Sequence, residues 1–96
     1  MDDRITSRNA ARKRLEREFG DDRHLVETLL DVYRGEYDGA GAWMLQFARE
    51  VLGHSSAWML PFVDVDGLTS SSLHERRLLA LDGAERGRVY VFFFDL

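Results

Sequence analysis

The spacing of apolar residues changes along the chain, and the change predicts where helices give way to strands. Residues 3–19 read as a helix: Ala10, Ala11 and Leu15 sit among many Arg and Glu, with no Pro, and Gly20 is placed to stop it. At 100° per residue Ile5, Leu15 and Phe19 share one arc, but Arg4, Arg8 and Arg12 fall in that same arc. The apolar stripe is continuous only in the last turns, so residues 1–14 are expected to project or fray as a helical arm.

Asp21 or Asp22 can cap a second helix. Leu25, Val26, Leu29, Leu30, Tyr33 and Tyr37 recur at i, i+3/i+4 and i+7, which carries that helix to about residue 36. Arg23 and Glu27 add an i, i+4 ion pair on its other side. The Gly39-Ala40-Gly41 stretch breaks the pattern. A third helix over about 42–52 holds Trp43, Met44, Leu45, Phe47, Ala48, Val51 and Leu52. Only Gln46, Arg49 and Glu50 are polar, so it should pack on more than one side.

From residue 55 the character shifts. Trp58, Leu60, Phe62, Val63 and Val65 predict an extended segment over about 58–65, and Pro61 places it at an edge or a bulge. One coincidence crosses this boundary. Ala42-Trp43-Met44-Leu45-Gln46-Phe47 and Ala57-Trp58-Met59-Leu60-Pro61-Phe62 differ only at the fifth position. If that match reflects structure, the second copy is instead a short helix capped by Ser55 or Ser56. Ser72 and Glu75 have the spacing of a capping box, and no β-branched or aromatic residue lies in 73–81, which favours a helix there. The competing reading is a strand over 76–81, joined as a hairpin to the next. Residues 88–95 form the clearest strand, with Val89, Val91 and Phe93 on one face and Tyr90, Phe92 and Phe94 on the other.

The predicted fold is therefore a single α+β domain over 1–96: three N-terminal helices, then a small sheet of two or three strands, with a fourth short helix as an option. Its expected core is Leu15, Phe19, Leu25, Leu29, Leu30, Tyr33, Trp43, Met44, Phe47, Val51, Leu60, Phe62, Val63, Leu78, Leu81, Val89, Val91 and Phe93.

Composition narrows the function. At 96 residues the chain is too short for more than one ordinary domain. It has no cysteine, which excludes disulfide scaffolds, Cys-type zinc modules and thiol catalysis. The longest apolar run, residues 89–94, is far below the roughly 20 residues a membrane helix needs. No apolar leader follows Met1, so a cytoplasmic protein without membrane contact is expected.

The motifs of chemistry are missing. His24, His54 and His74 stand in no metal-binding spacing. Asp64, Asp66 and Glu75 occupy positions one, three and twelve of a calcium loop, but Thr69 holds the position that requires Gly. The Thr69-Ser70-Ser71-Ser72 cluster lacks a nucleophile elbow. No phosphate-cradling Gly motif occurs. A non-enzymatic protein without cofactor or metal is expected.

Two features point to partners. A strand apolar on both faces must be covered on both. Helices from both halves of the chain can do this. Otherwise Tyr90, Phe92, Phe93 and Phe94 would serve self-association or a protein partner, through edge pairing and burial of the Phe-rich face. The second feature is charge. The net is −4, with +2 over residues 1–19 and −6 over 20–66. Arg4, Arg8, Arg12, Lys13 and Arg14 form the basic concentration, and the alternative function is a nucleic-acid-associated protein that contacts phosphates with this helix. Interleaved acids and the acidic chain as a whole argue against it.

Overall fold

The computed structural model describes residues 3–94, and side chains over 6–94. In chain order the elements are α1 (Asp3–Phe19), α2 (Arg23–Asp31), β1 (Tyr33–Tyr37), α3 (Ala40–Leu52), a 3-10 helix (Ala57–Phe62), α4 (Val65–His74), β2 (Leu78–Asp82) and β3 (Val89–Phe93). The architecture is α+β, as the apolar spacing predicts. The strands form one antiparallel sheet in the order β1-β3-β2.

Alternation along β3 explains the layers. Tyr90 and Phe92 point toward α1 and α2, where they join Ala11, Leu15, Val26, Leu29 and Leu30. Val91 and Phe93 point the other way, onto Trp43 and Met44 of α3 with Leu78 of β2. The sheet is thus held between the α1–α2 pair and α3. Burial of these apolar side chains is the main stabilising term, at ~25 cal/mol for each Å² taken from water.

The region of the expected arm is tied down from Ser7 onward. Ser7 Oγ and the Tyr33 hydroxyl are hydrogen-bonded, Arg8 donates to the Leu30 carbonyl at 2.7 Å, and Ala11 is fully buried. Small Ala residues let α1 lie close to α2, so a broad apolar stripe is not needed there.

Three elements differ from their predicted form. Helix α2 begins as expected, with Asp22 accepting from the Leu25 amide at 3.0 Å, but it ends at Asp31. Tyr33–Tyr37 is a strand. Tyr33 and Tyr37 are four apart, a spacing that fits a helix face and a strand face alike. Pairing with β3 decides the matter, and Gly35, at φ +121°, has a backbone no helix holds. The register slips between Tyr33 and Gly35. This bulge sends Tyr33 to the α1–α2 side and Tyr37 to the α3 side.

Residues 57–62 are a 3-10 helix rather than an extended segment, with Met59 N–H donating to the Ser56 carbonyl at 3.0 Å. The short-helix option implied by the repeated hexapeptide is the one found, though no serine side chain caps it. Residues 75–81 are not helical, and Leu73 and His74 are the last residues of α4 rather than the start of a helix. The preceding helix, α4, starts earlier, capped by Asp64 on the Gly67 amide at 3.0 Å, and stops where Arg76 turns left-handed at φ +61°. The leucines that follow belong to the hairpin reading: β2 pairs with β3 from Leu78↔Phe93 to Asp82↔Val89. Ladder hydrogen bonds from β3 outweigh the weak β-preference of Leu and Ala.

Candidate interaction surface

The C-terminal strand is not the exposed surface its sequence suggests. β3 lies between β1 and β2, so both its edges are paired. Tyr90, Phe92 and Phe93 are all buried, Phe92 completely. Phe94 is half-buried against the α1–α2 cluster, and its amide donates to the Arg77 carbonyl at 2.8 Å. Helices of the same chain supply both covers. The free edges of the sheet are β1 and β2.

The basic helix is largely engaged within the chain. Arg12 forms an ion pair with Glu27. That contact raises the Arg12 pKa and lowers that of Glu27, through their hydrogen bond first, with desolvation opposing and their mutual charge adding. Arg14 donates to Glu18 at 2.9 Å and to the Asp82 carbonyl at 3.1 Å. Lys13 is exposed and has no ion pair among the described residues. The Arg4 side chain lies outside the described residues.

Exposed apolar surface gathers elsewhere. Among the described residues, the large hydrophobic side chains at the surface all fall between Val51 and Leu73. Phe62 is 82% exposed, Trp58 69% and Val51 68%, with Met59, Leu68 and Leu73 above 40%. Phe62 and Val51 were expected in the core. No residue of the 3-10 helix is buried. The cause is local: Gly53 ends α3, and six residues of 3-10 helix carry the chain to Asp64, the cap of α4, with Pro61 removing one backbone donor.

Beside these side chains runs an apolar groove of about 280 Å³ between α3 and α4. Met44, Phe47, Ala48, Val51 and Leu52 of α3 form one wall, Val63, Leu68 and Ser72 the other, with Phe93 and Arg77 completing it. Three rings stiffen its base. Trp43 stacks on Phe47 at 5.1 Å between centroids, and Phe93 lies 4.8 Å from Trp43 and 5.3 Å from Phe47. The guanidinium of Arg77 sits 5.9 Å from the Phe93 ring centre, a cation–π contact. Its Nε is buried without a hydrogen-bond partner, and its nearest acid, Glu75, is 4.0 Å away. The groove is thus apolar except for the Ser72 hydroxyl, with one weakly satisfied cation at its border.

The two copies of the repeated hexapeptide meet opposite fates. Trp43 and Met44 are buried against the sheet, whereas Trp58 and Met59 face solvent. The sequence shows the repeat, and of its second copy Leu60 and Phe62 are the residues expected in the core; Phe62 is exposed. The usable signal was the Gln46/Pro61 difference, since Pro bars the second copy from an α-helix like the first.

The remaining chemical candidates do not converge. His24, His54 and His74 are exposed. Asp64 is spent on capping α4. Among the described residues no three His, Asp or Glu side chains gather as a metal site would require. No described helix is long and apolar enough to cross a membrane. No protein-family model matches the chain, nor does any curated protein or solved structure.

Proposed function

We propose that the protein is a non-enzymatic protein–protein interaction module that self-associates, using the face made by α3, the 3-10 helix and α4 rather than its C-terminal strand. The observation that carries this reading is the pairing of exposed Trp58 and Phe62 with an adjoining apolar groove.

Size supports it. Trp58 and Phe62 alone leave on the order of 300 Å² of ring surface to water, taking ~200 Å² for a whole aromatic side chain. At the same ~200 Å² apiece the six exposed side chains come to about 700 Å², short of the ~800 Å² that each partner contributes to a standard interface, with the groove walls left to supply the rest. Shape supports a second copy as the occupant. Exposed Val51 and Leu68 line the groove and Phe62 directly precedes Val63 of its wall, which suits a twofold, isologous contact in which the rings of each copy enter the groove of the other. Charge supports it as well. Asp66 follows Phe62 closely in sequence, and Arg77 borders the groove. The N-terminal basic helix gives less support to the nucleic-acid alternative, because Arg12 and Arg14 are already paired with carboxylates of the same chain.

Light scattering on a size-exclusion column tests the proposal. At about 100 µM, a concentration that populates even modest affinities, the wild type is expected as a dimer. Phe62→Ser and Trp58→Ser are expected as folded monomers with unchanged circular dichroism. A wild-type monomer at that concentration overturns self-association. So does a dimer that survives both substitutions.

A further inference from the structure

A second groove, of about 670 Å³, runs along the free edge of β1, and its chemistry is unlike that of the apolar face. Three arginines from three parts of the chain line it: Arg8 from α1, Arg34 from β1 and Arg88 just before β3. Each is fixed by a backbone carbonyl. Arg8 donates to Leu30 O at 2.7 Å, Arg34 to Phe93 O at 3.1 Å and Arg88 to Glu36 O at 3.3 Å.

How they are held matters. A carbonyl orients a guanidinium without neutralising it, and each guanidinium has five N–H donors. Arg8 and Arg34 have no carboxylate partner among the described residues, in contrast to Arg12 and Arg14. Arg88 is offset by Asp38 at 2.9 Å and Glu36 at 3.7 Å. Glu36 itself lines the groove, so three arginines stand against Glu36 and Asp38 and leave one positive charge in surplus, in a chain whose total is −4. Tyr37 adds an aromatic wall, with its hydroxyl donating to Arg34 O at 3.3 Å. Its volume lies in the ~300–1,000 Å³ range of small-molecule sites.

We propose that this groove binds a phosphorylated small molecule of nucleotide size, with Arg8 and Arg34 contacting the phosphate oxygens. Planar, fixed guanidinium forks match phosphate better than any other side chain does. The half-buried Tyr37 ring offers a stacking surface for the non-phosphate part.

Amide NMR of the full chain at low salt tests this, with inorganic pyrophosphate, adenosine diphosphate and adenosine as probes. Pyrophosphate and adenosine diphosphate are expected to shift the amides of Arg34, Gly35 and Glu36, the diphosphate nucleoside binding more tightly, while adenosine alone shifts none. Arg34→Gln is expected to weaken binding about tenfold, the size of one lost charge-assisted contact. Arg17→Gln, on exposed α1 surface outside the groove, should leave binding unchanged. If Arg34→Gln disturbs the fold, seen as loss of amide dispersion, Arg8→Gln carries the same expectation. Absence of shifts with both phosphates at millimolar concentration overturns the proposal. Equal weakening by Arg17→Gln overturns it too, since diffuse attraction would then suffice.

Discussion

Trp43 and Trp58 hold the same place in two nearly identical hexapeptides, yet Trp43 is 5% exposed and Trp58 69%. Trp43 lies on an α-helix whose axis presents it to Phe93; Trp58 lies on a 3-10 helix that presents it to solvent. Side-chain identity is matched and burial is not, so the pair separates what a tryptophan contributes to folding from what it contributes to a surface.

Trp43→Ala is expected to destabilise the chain by about 3–5 kcal/mol, the range for emptying a large aromatic site in a core. Trp58→Ala is expected to change the stability of dilute monomer by no more than ~0.5 kcal/mol. Urea unfolding followed by far-ultraviolet circular dichroism measures both. Equal losses would mean that the 3-10 helix is part of the core.

Gly35 and Gly41 make a second contrasting pair. Gly35 has φ +121°, and a Cβ there would lie 3.3 Å from the Tyr37 ring. Gly35→Ala is expected to cost about 1–3 kcal/mol in backbone strain and crowding. Gly41 lies within α3, with open space around a built Cβ. Gly41→Ala is expected to stabilise by roughly 0.5 kcal/mol through helix propensity. Thermal unfolding of the two variants should move in opposite directions.

Tyr33 sets an alkaline limit on stability. Its half-buried phenol is pushed above the usual value of about 10 by desolvation, with the Ser7 hydrogen bond pulling the other way. As pH climbs past 10 the unfolded chain loses this proton while the folded chain keeps it. The unfolded state then binds fewer protons, so stability falls with rising pH. The contribution is fully present below pH 10 and fades above it. Urea unfolding at pH 9 and pH 11 should show a larger drop for the wild type than for Tyr33→Phe.

Elements with a local signal are legible in the sequence: α1 from its helix formers and Gly20 stop, the start of α2 from its cap, α2 and α3 from apolar spacing, and β3 from its apolar run. The elements that were misread, β1, the 3-10 helix and β2, owe their form to something outside their own segments. Tyr33 and Tyr37 satisfy either period, and only the pairing with β3 chooses between them. Leu78 and Leu81 have no strand preference of their own; their pairing with Phe93 and Tyr90 gives them one. The apolar face was half legible. The hexapeptide repeat marked residues 57–62, but nothing local to Phe62 says that it points outward. The β1-edge groove was not legible at all, because Arg8, Arg34 and Arg88 are brought together by the sheet and not by any motif.

The central place of β3 also fixes an order of events. β1 and β2 touch no other strand, so each waits for residues 89–93, and Tyr33 finds its partner Phe92 about sixty positions later in the chain. Helices α1 and α2 can meet early, being neighbours in sequence, but the apolar sides they turn toward the sheet have nothing to cover them until the last strand arrives. On a growing chain the sheet therefore closes in one late, non-local step, and a polypeptide released before β3 is made carries two half-built layers with no centre between them.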